Sequence, residues 1–278
     1  MKTGSDPFFR RFAANRAALA GAGVLLVVFG AALLAPWLAP HDPLAVDLGR
    51  NFAGASWAHP LGTDQLGRDT LSRLLFGARV SLLLSLVSVG TALVAGVAAG
   101  LAAAWHRGWV DAVFVRVVDV LLSFPDILLA IAVIAMLGPG NISTIVAVAV
   151  YALPTFGRIA RAAALSTVSR DFILASRAAG ASSAWMLRRH VLPMCLSPIV
   201  AQATVMLGKA VLLASGLSFL GLGVQPPEAE WGAMLSRGRD LIRTAPLGAF
   251  APGIAITLVA LSFSLAGDGL RDALDPKE

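Results

Sequence analysis

Six apolar runs alternate with polar stretches along the chain, at about residues 17–38, 80–105, 113–137, 142–164, 197–222 and 247–266. Each reaches the roughly 20 residues that a helix needs to cross a bilayer. The pattern predicts an all-α, polytopic membrane protein with six transmembrane helices. The first run is too long for the 7–15-residue core of a signal peptide, and Pro36 and Pro40 close it without a small-residue cleavage site. It is read as a retained span, so residues 1–16 become a short basic tail and 17–278 one transmembrane domain. Within the second run, Gly96 and Gly100 lie four apart, a spacing that lets a neighbouring backbone approach closely. In the third, Arg116 and Asp119 can pair on one helix face. In the fourth, Pro154 is expected to bend the helix.

The polar stretches differ from one another. Residues 40–79 carry balanced charge and end in HPLGTDQLGRDTLSRLLFGARVSL, read as a turn followed by an amphipathic helix lying along the membrane surface. Residues 223–246 are again balanced. Residues 171–193, DFILASRAAGASSAWMLRRHVLP, form a hydrophilic island whose two ends are tied to spans. Arg170, Arg177, Arg188 and Arg189 mark it against one acid, Asp171, and Gly180 interrupts an otherwise helix-compatible middle. Two readings are open: a short basic helix that docks onto a cytoplasmic partner, or a plain loop kept inside by its arginines.

Charge sets the orientation. With the tail, the island and the C-terminus assigned to the cytoplasm, fourteen of the 22 Lys and Arg residues lie inside and seven outside, while Lys209 falls within a span. This predicts cytoplasmic N- and C-termini. The composition agrees with a membrane protein: 57% hydrophobic, 14% charged, mean hydropathy +0.78, against about 25% charged in soluble chains. A pI near 10.6 could suggest nucleic acid. The basic residues collect at span ends, however, rather than in one stripe with interleaved aromatics, so no nucleic-acid partner is expected.

Little in the sequence suggests catalysis. Cys195 is the only cysteine. His41, His59, His106 and His190 are scattered without ligand spacing, so no metal site is expected. Gly208-Lys209 lacks the upstream glycine of a phosphate loop. Asp64 and Asp69 sit beside arginines in a turn-rich loop and are not read as a catalytic pair. Energy for uphill movement must come from another chain or an ion gradient.

The island resembles the EAA loop of ABC-importer permeases. Ala175, Gly180, Leu192 and Pro193 match that pattern, while Leu174, Ser176 and His190 depart from it. Leu174 replaces the glutamate, which removes any ionic contact from that position. Four more stretches, HPLGTDQLGRDTLSRLLFGAR, LSFPDILLA, SFLGLGVQPPEAEWGAML and GDGLRDALDP, resemble the dipeptide/oligopeptide/nickel permease family in the same order. The likeness is to its second, shorter subunit type and extends from about residue 17 to 276.

The resemblance implies a bacterial cytoplasmic (inner) membrane permease subunit that imports dipeptides or oligopeptides. Nickel or another small solute is the alternative cargo. The island becomes a cytoplasmic coupling helix between spans 4 and 5, with Ala175, Ser176, Gly180, Ala181, Leu192 and Pro193 at the ATPase contact. Gly180 supplies a tight turn, and Pro193 stops the lever before the fifth span. Further implied partners are a second homologous permease, two ATPase subunits and an extracytoplasmic solute-binding protein facing residues 40–79 and 223–246. ATP and Mg belong to the ATPase chains, and no cofactor is expected on this one. Lys209 and Asp126 are the candidate path residues. Lys209 could meet a peptide carboxylate, or it could contact the partner permease or an acid such as Asp126. Rival classes are a secondary transporter, weakened by the absence of an evident repeat, and an intramembrane enzyme, weakened by the lack of paired catalytic residues within the spans.

Overall fold

The computed structural model describes residues 7–239, 242 and 246–274. The first six residues of the expected tail, residues 240–241 and 243–245 of the last polar connection, and residues 275–278 lie outside them. Among the described residues the fold is helical, with one isolated bridge, between Thr63 and Asp69. The helices are α1 (Pro7–Ala14), α2 (Arg16–Leu33), α3 (Ala35–Leu38), α4 (Thr70–His106), α5 (Gly108–Ser123), α6 (Asp126–Leu137) and α7 (Asn141–Val168). They continue with α8 (Asp171–Ala178), α9 (Ser183–Met186), α10 (Leu192–Phe219), α11 (Trp231–Gly238) and α12 (Pro246–Leu274).

Five helical stretches are long and apolar enough to span a bilayer: α2, α4, α7, the continuous run Ser183–Phe219, and α12. The expected third span, 113–137, is not one straight helix. It breaks into α5 and α6, bent by 98°, and counts as a sixth span only if the bent pair is taken together. The cause is local. Pro125 has no N–H to give the helix and forces Phe124 into an extended conformation, φ −87° and ψ 141°. Asp126 then opens α6. Pro154, by contrast, lies inside an unbroken α7.

The amphipathic helix expected along the membrane surface is instead the first three turns of α4. Nothing in Leu71–Val80 breaks the helix, so it runs 37 residues, about 55 Å at 1.5 Å per residue. That exceeds a ~30 Å hydrocarbon core, and its N-terminal turns stand in a polar cap.

Small residues set the core. Lipid tails give helices no hydrophobic reason to associate, so close packing must hold them together. A Cβ on Gly96 would lie 2.6 Å from the Leu153 carbonyl oxygen on α7, and one on Gly100 only 2.3 Å from that of Gly157. Neither fits, so the α4–α7 crossing depends on these two glycines. Around it, Ala152, Phe156, Ala160, Met206, Ala210 and Leu217 are buried. A second core joins α2, α4, α11 and α12 through Leu25, Leu82, Trp231, Met234, Val259 and Phe263. Outward faces stay apolar, with Leu26, Leu33, Trp37 and Met136 all exposed.

Candidate functional site

The island folds into a two-part lever between α7 and α10. The first part, α8, follows Arg170, whose φ −79° and ψ 146° turn the chain out of α7. Asp171 lies in its first turn, where the helix dipole favours a negative charge. The helix ends in a Schellman motif: Ala181 N–H donates to the Ser176 carbonyl at 3.1 Å, and Gly180 N–H to that of Arg177 at 3.0 Å. Gly180 sits at φ +83°, a region closed to most L side chains. An added Cβ there meets no other atom of the chain within 4 Å, so backbone conformation alone requires the glycine. Ser182 then caps α9, accepting from Trp185 N–H.

Pro193 does not stop the lever. The chain passes from α9 through a π turn, Leu187–Val191, directly into α10, with Leu192 N–H donating to the Leu187 carbonyl. Pro193 occupies the first turn of α10, where its missing N–H is tolerated and the preceding wide turn absorbs its ring. Lever and fifth span are therefore one continuous helical run.

Three side chains anchor this lever in the main core. Ile173 and Val191 are completely buried and Met186 is 1% exposed. Arg177 lies over the Trp105 ring, 5.2 Å from its centroid, joining α8 to the last turns of α4. His190 meets Phe172 at 5.8 Å and Trp185 at 4.9 Å, both edge-on. The opposite side is open: Leu174, Ala175, Ala178, Ala179, Gly180, Ala184 and Trp185 are exposed. An open recess of about 440 Å³ lies among Ala184, Trp185, Arg188 and Arg189. The surface is an apolar patch rimmed by guanidinium groups.

Of the six expected contact residues, Ala175, Gly180 and Pro193 are exposed, and Ser176, Ala181 and Leu192 are half-buried. Ser176 Oγ donates to the Phe172 carbonyl at 2.8 Å, so it serves the helix as well. Lys209 and Asp126 are both exposed but form no ion pair with each other. Asp126 lies against Tyr151. On α5, the ion pair is Asp111 with Arg161, which ties α5 to α7.

At the other end of α4 the structure holds a polar cap that sequence reasoning missed. Arg68 and Arg73 are 3% and 1% exposed, not surface charges of an amphipathic helix. Asp64 Oδ2 accepts from Arg68 Nε at 2.8 Å and lies 3.6 Å from Arg73 Nε. Arg73 also donates to the Pro43 carbonyl at 2.8 Å. Glu230 is completely buried. It caps α11 by accepting from Gly232 and Ala233 N–H at 2.9 and 2.8 Å, and from Ser81 Oγ at 3.1 Å. Burial pushes its carboxyl above the ordinary value, and these hydrogen bonds pull it back. Burial and the Arg68 charge lower the Arg237 guanidinium.

Residues 92–278 match the family described as the binding-protein-dependent transport system inner membrane component. The chain belongs to this family. Residues 7–55 further match the N-terminal transmembrane domain of oligopeptide transport permease C. A di/tripeptide transport system permease protein of Pseudomonas aeruginosa strain UCBPP-PA14 is 45% identical over 97% of this chain and 91% of its own length. A glutathione transport system permease protein of Pectobacterium atrosepticum is 44% identical over 97% and 90%. A chain of the methionine ABC transporter, solved facing inward, superposes with a TM-score of 0.60. It is 23% identical, over 74% of this chain and 97% of that one, and shows the shared fold. This family member is thus a membrane permease subunit of an ABC importer, a transport component rather than an enzyme.

Proposed function

We propose that the chain forms half of a translocation path for dipeptides or oligopeptides, paired with a second, homologous permease. The lever at 171–191 seats in a cleft of a separate ATPase subunit, one of two that bind ATP and Mg. Both termini face the cytoplasm, and the cap around Asp64, Asp69 and Glu230 faces an extracytoplasmic solute-binding protein. The cargo class rests on the relatives, which are named for di/tripeptide, dipeptide and glutathione transport.

One observation carries the coupling role: the lever is fixed by three buried anchors while Leu174, Ala175, Gly180 and Trp185 on its outer surface are exposed. A loop needed only for topology has no use for such anchors. Because the lever continues into α10 and touches α4 through Arg177, a push on it reaches two spans as a rigid motion. That is how ATPase closure favours one facing state over the other, since a shift needs contacts that differ between states. Leu174 makes the contact apolar where the family pattern has a glutamate, with the surrounding arginines supplying the charge. Lys209 and Asp126 line the path at separate points rather than as a pair.

Site-directed crosslinking tests this reading. In a Cys195→Ser background, Ala175→Cys should crosslink to the ATPase subunit, and Ala55→Cys, exposed in the cap, should crosslink to the binding protein. Crosslinks to the opposite partners would overturn it.

A further inference from the structure

The two histidines of the cap, 18 positions apart in sequence, converge on one carboxylate. His59 Nδ1 lies 2.9 Å from Asp69 Oδ1 and His41 Nδ1 lies 3.9 Å from the same oxygen. One ligand atom from each of the three residues lies within 4.8 Å of the other two, and the imidazoles stack at 4.5 Å between centroids. Sequence spacing hides this, because the turn-rich loop between them sets the approach. Two ligands at about 2.1 Å from a tetrahedral zinc ion are about 3.4 Å apart. The observed separations of 2.9 and 3.9 Å fall on either side of that value.

We propose that His41, His59 and Asp69 form a binding site for one divalent transition-metal ion of the zinc type. Two imidazole nitrogens with one carboxylate oxygen suit zinc and its neighbours, not calcium or magnesium, which take oxygen ligands. The ligands are held in place before any ion arrives. Asp69 is 2% exposed, and its second oxygen accepts from Ser72 N–H and Ser72 Oγ, both at 2.7 Å. Ser72 Oγ in turn accepts from the His41 backbone N–H at 3.1 Å. His41 borders a cavity of about 820 Å³, shared with Pro36, Phe76, Arg79 and Glu228. That cavity gives the ion a route in and leaves a fourth coordination position for water. The bound ion pins the loop at positions 41 and 59 to the start of α4.

Metal binding changes which nitrogen of His59 carries its proton. Without metal, Arg50 Nη1 lies 3.4 Å from His59 Nε2 and donates to it, so the His59 proton sits on Nδ1, facing Asp69. Binding requires that proton to leave Nδ1 for Nε2, which frees Nδ1 to coordinate. Nε2–H then faces a guanidinium, so Arg50 must turn away. It can, being 59% exposed and held by Asp47 at 3.4 Å. Arg50 therefore opposes the metal, which a purely structural His59–Asp69 hydrogen bond does not predict.

The test uses the assembled importer, purified, stripped with a chelator and titrated with zinc chloride against a chromogenic competitor. The proposal expects one bound zinc per permease chain beyond that of a His41→Gln/His59→Gln importer, and a zinc-induced rise in melting temperature present only in the unmutated protein. Arg50→Ala should tighten binding. Loss of either imidazole should weaken it at least about tenfold, on the scale of 10–100-fold seen even for groups that only support ligands. His41→Gln, at a part-exposed position, guards against misfolding of the double variant. Equal zinc stoichiometry and equal melting shifts in the unmutated, His41→Gln and double-variant proteins would overturn the site, as would Arg50→Ala weakening binding.

Discussion

The two ends of α4 are built in opposite ways. The cap at its start covers most of its polar groups: half-buried Asp64 and buried Asp69 and Glu230 each accept several hydrogen bonds, and Arg68 and Arg73 are almost completely covered. The lever at its end buries apolar anchors and turns small and basic residues outward. A covered polar network holds one shape, because each member left unpaired is costly. An apolar anchor with an open face keeps its own shape while leaving contacts for another chain. Under the proposed function, the cap is the fixed platform and the lever the part offered to a moving partner.

Breaking the cap should cost most. Asp64→Ala leaves Arg68 and Arg73 buried without their carboxylate, a loss of about 3–5 kcal/mol by analogy with broken buried ion pairs. Thermal unfolding of the purified permease would check it. If instead the variant melts like the unmutated protein, the cap is not the rigid platform described.

A smaller, pH-dependent effect should come from Glu230. Its carboxyl is raised above the ordinary 4.5 by burial, so its contribution to stability is full below about pH 4.5 and declines as pH rises through the raised value. Glu230→Gln removes that titration. Melting temperatures from pH 4.5 to 8 should show the unmutated protein losing ground to Glu230→Gln as pH rises. Parallel curves would show that Glu230 titrates normally.

Lys209 belongs to neither region and should matter least to stability. It is exposed and unpaired among the described residues, so Lys209→Met should change folding stability by less than about 0.5 kcal/mol. Transport in proteoliposomes should nevertheless change if Lys209 lines the path. Unchanged transport with normal assembly removes it from the path.

Legibility in the sequence divides along the same line. Long apolar runs announce themselves, and so does the island, since a basic stretch between two spans stands out. Gly180 and the Gly96/Gly100 pair were readable because a left-handed turn and a close helix crossing each require glycine. The break at Phe124–Pro125 was missed because apolar character continues across it while backbone geometry does not. The continuity through Pro193 was missed because a π turn leaves no mark in composition. The cap was least legible. Hydropathy treats Arg73 and Glu230 as surface groups, and only the folded loop brings their partners within reach. The meeting of His41 with His59 follows no helical or strand spacing.

The central claim, that the lever transmits ATPase motion into the spans, is tested most directly by coupled hydrolysis. Gly180→Trp combined with Ala175→Trp places two large side chains on the open face and leaves Ile173, Met186 and Val191 in place. In proteoliposomes carrying the whole importer, the variant should still insert and pair with its sister permease. It should either lose the ATPase subunits or hydrolyse ATP at a rate that loaded binding protein no longer raises. Intact assembly together with undiminished stimulation would contradict the account.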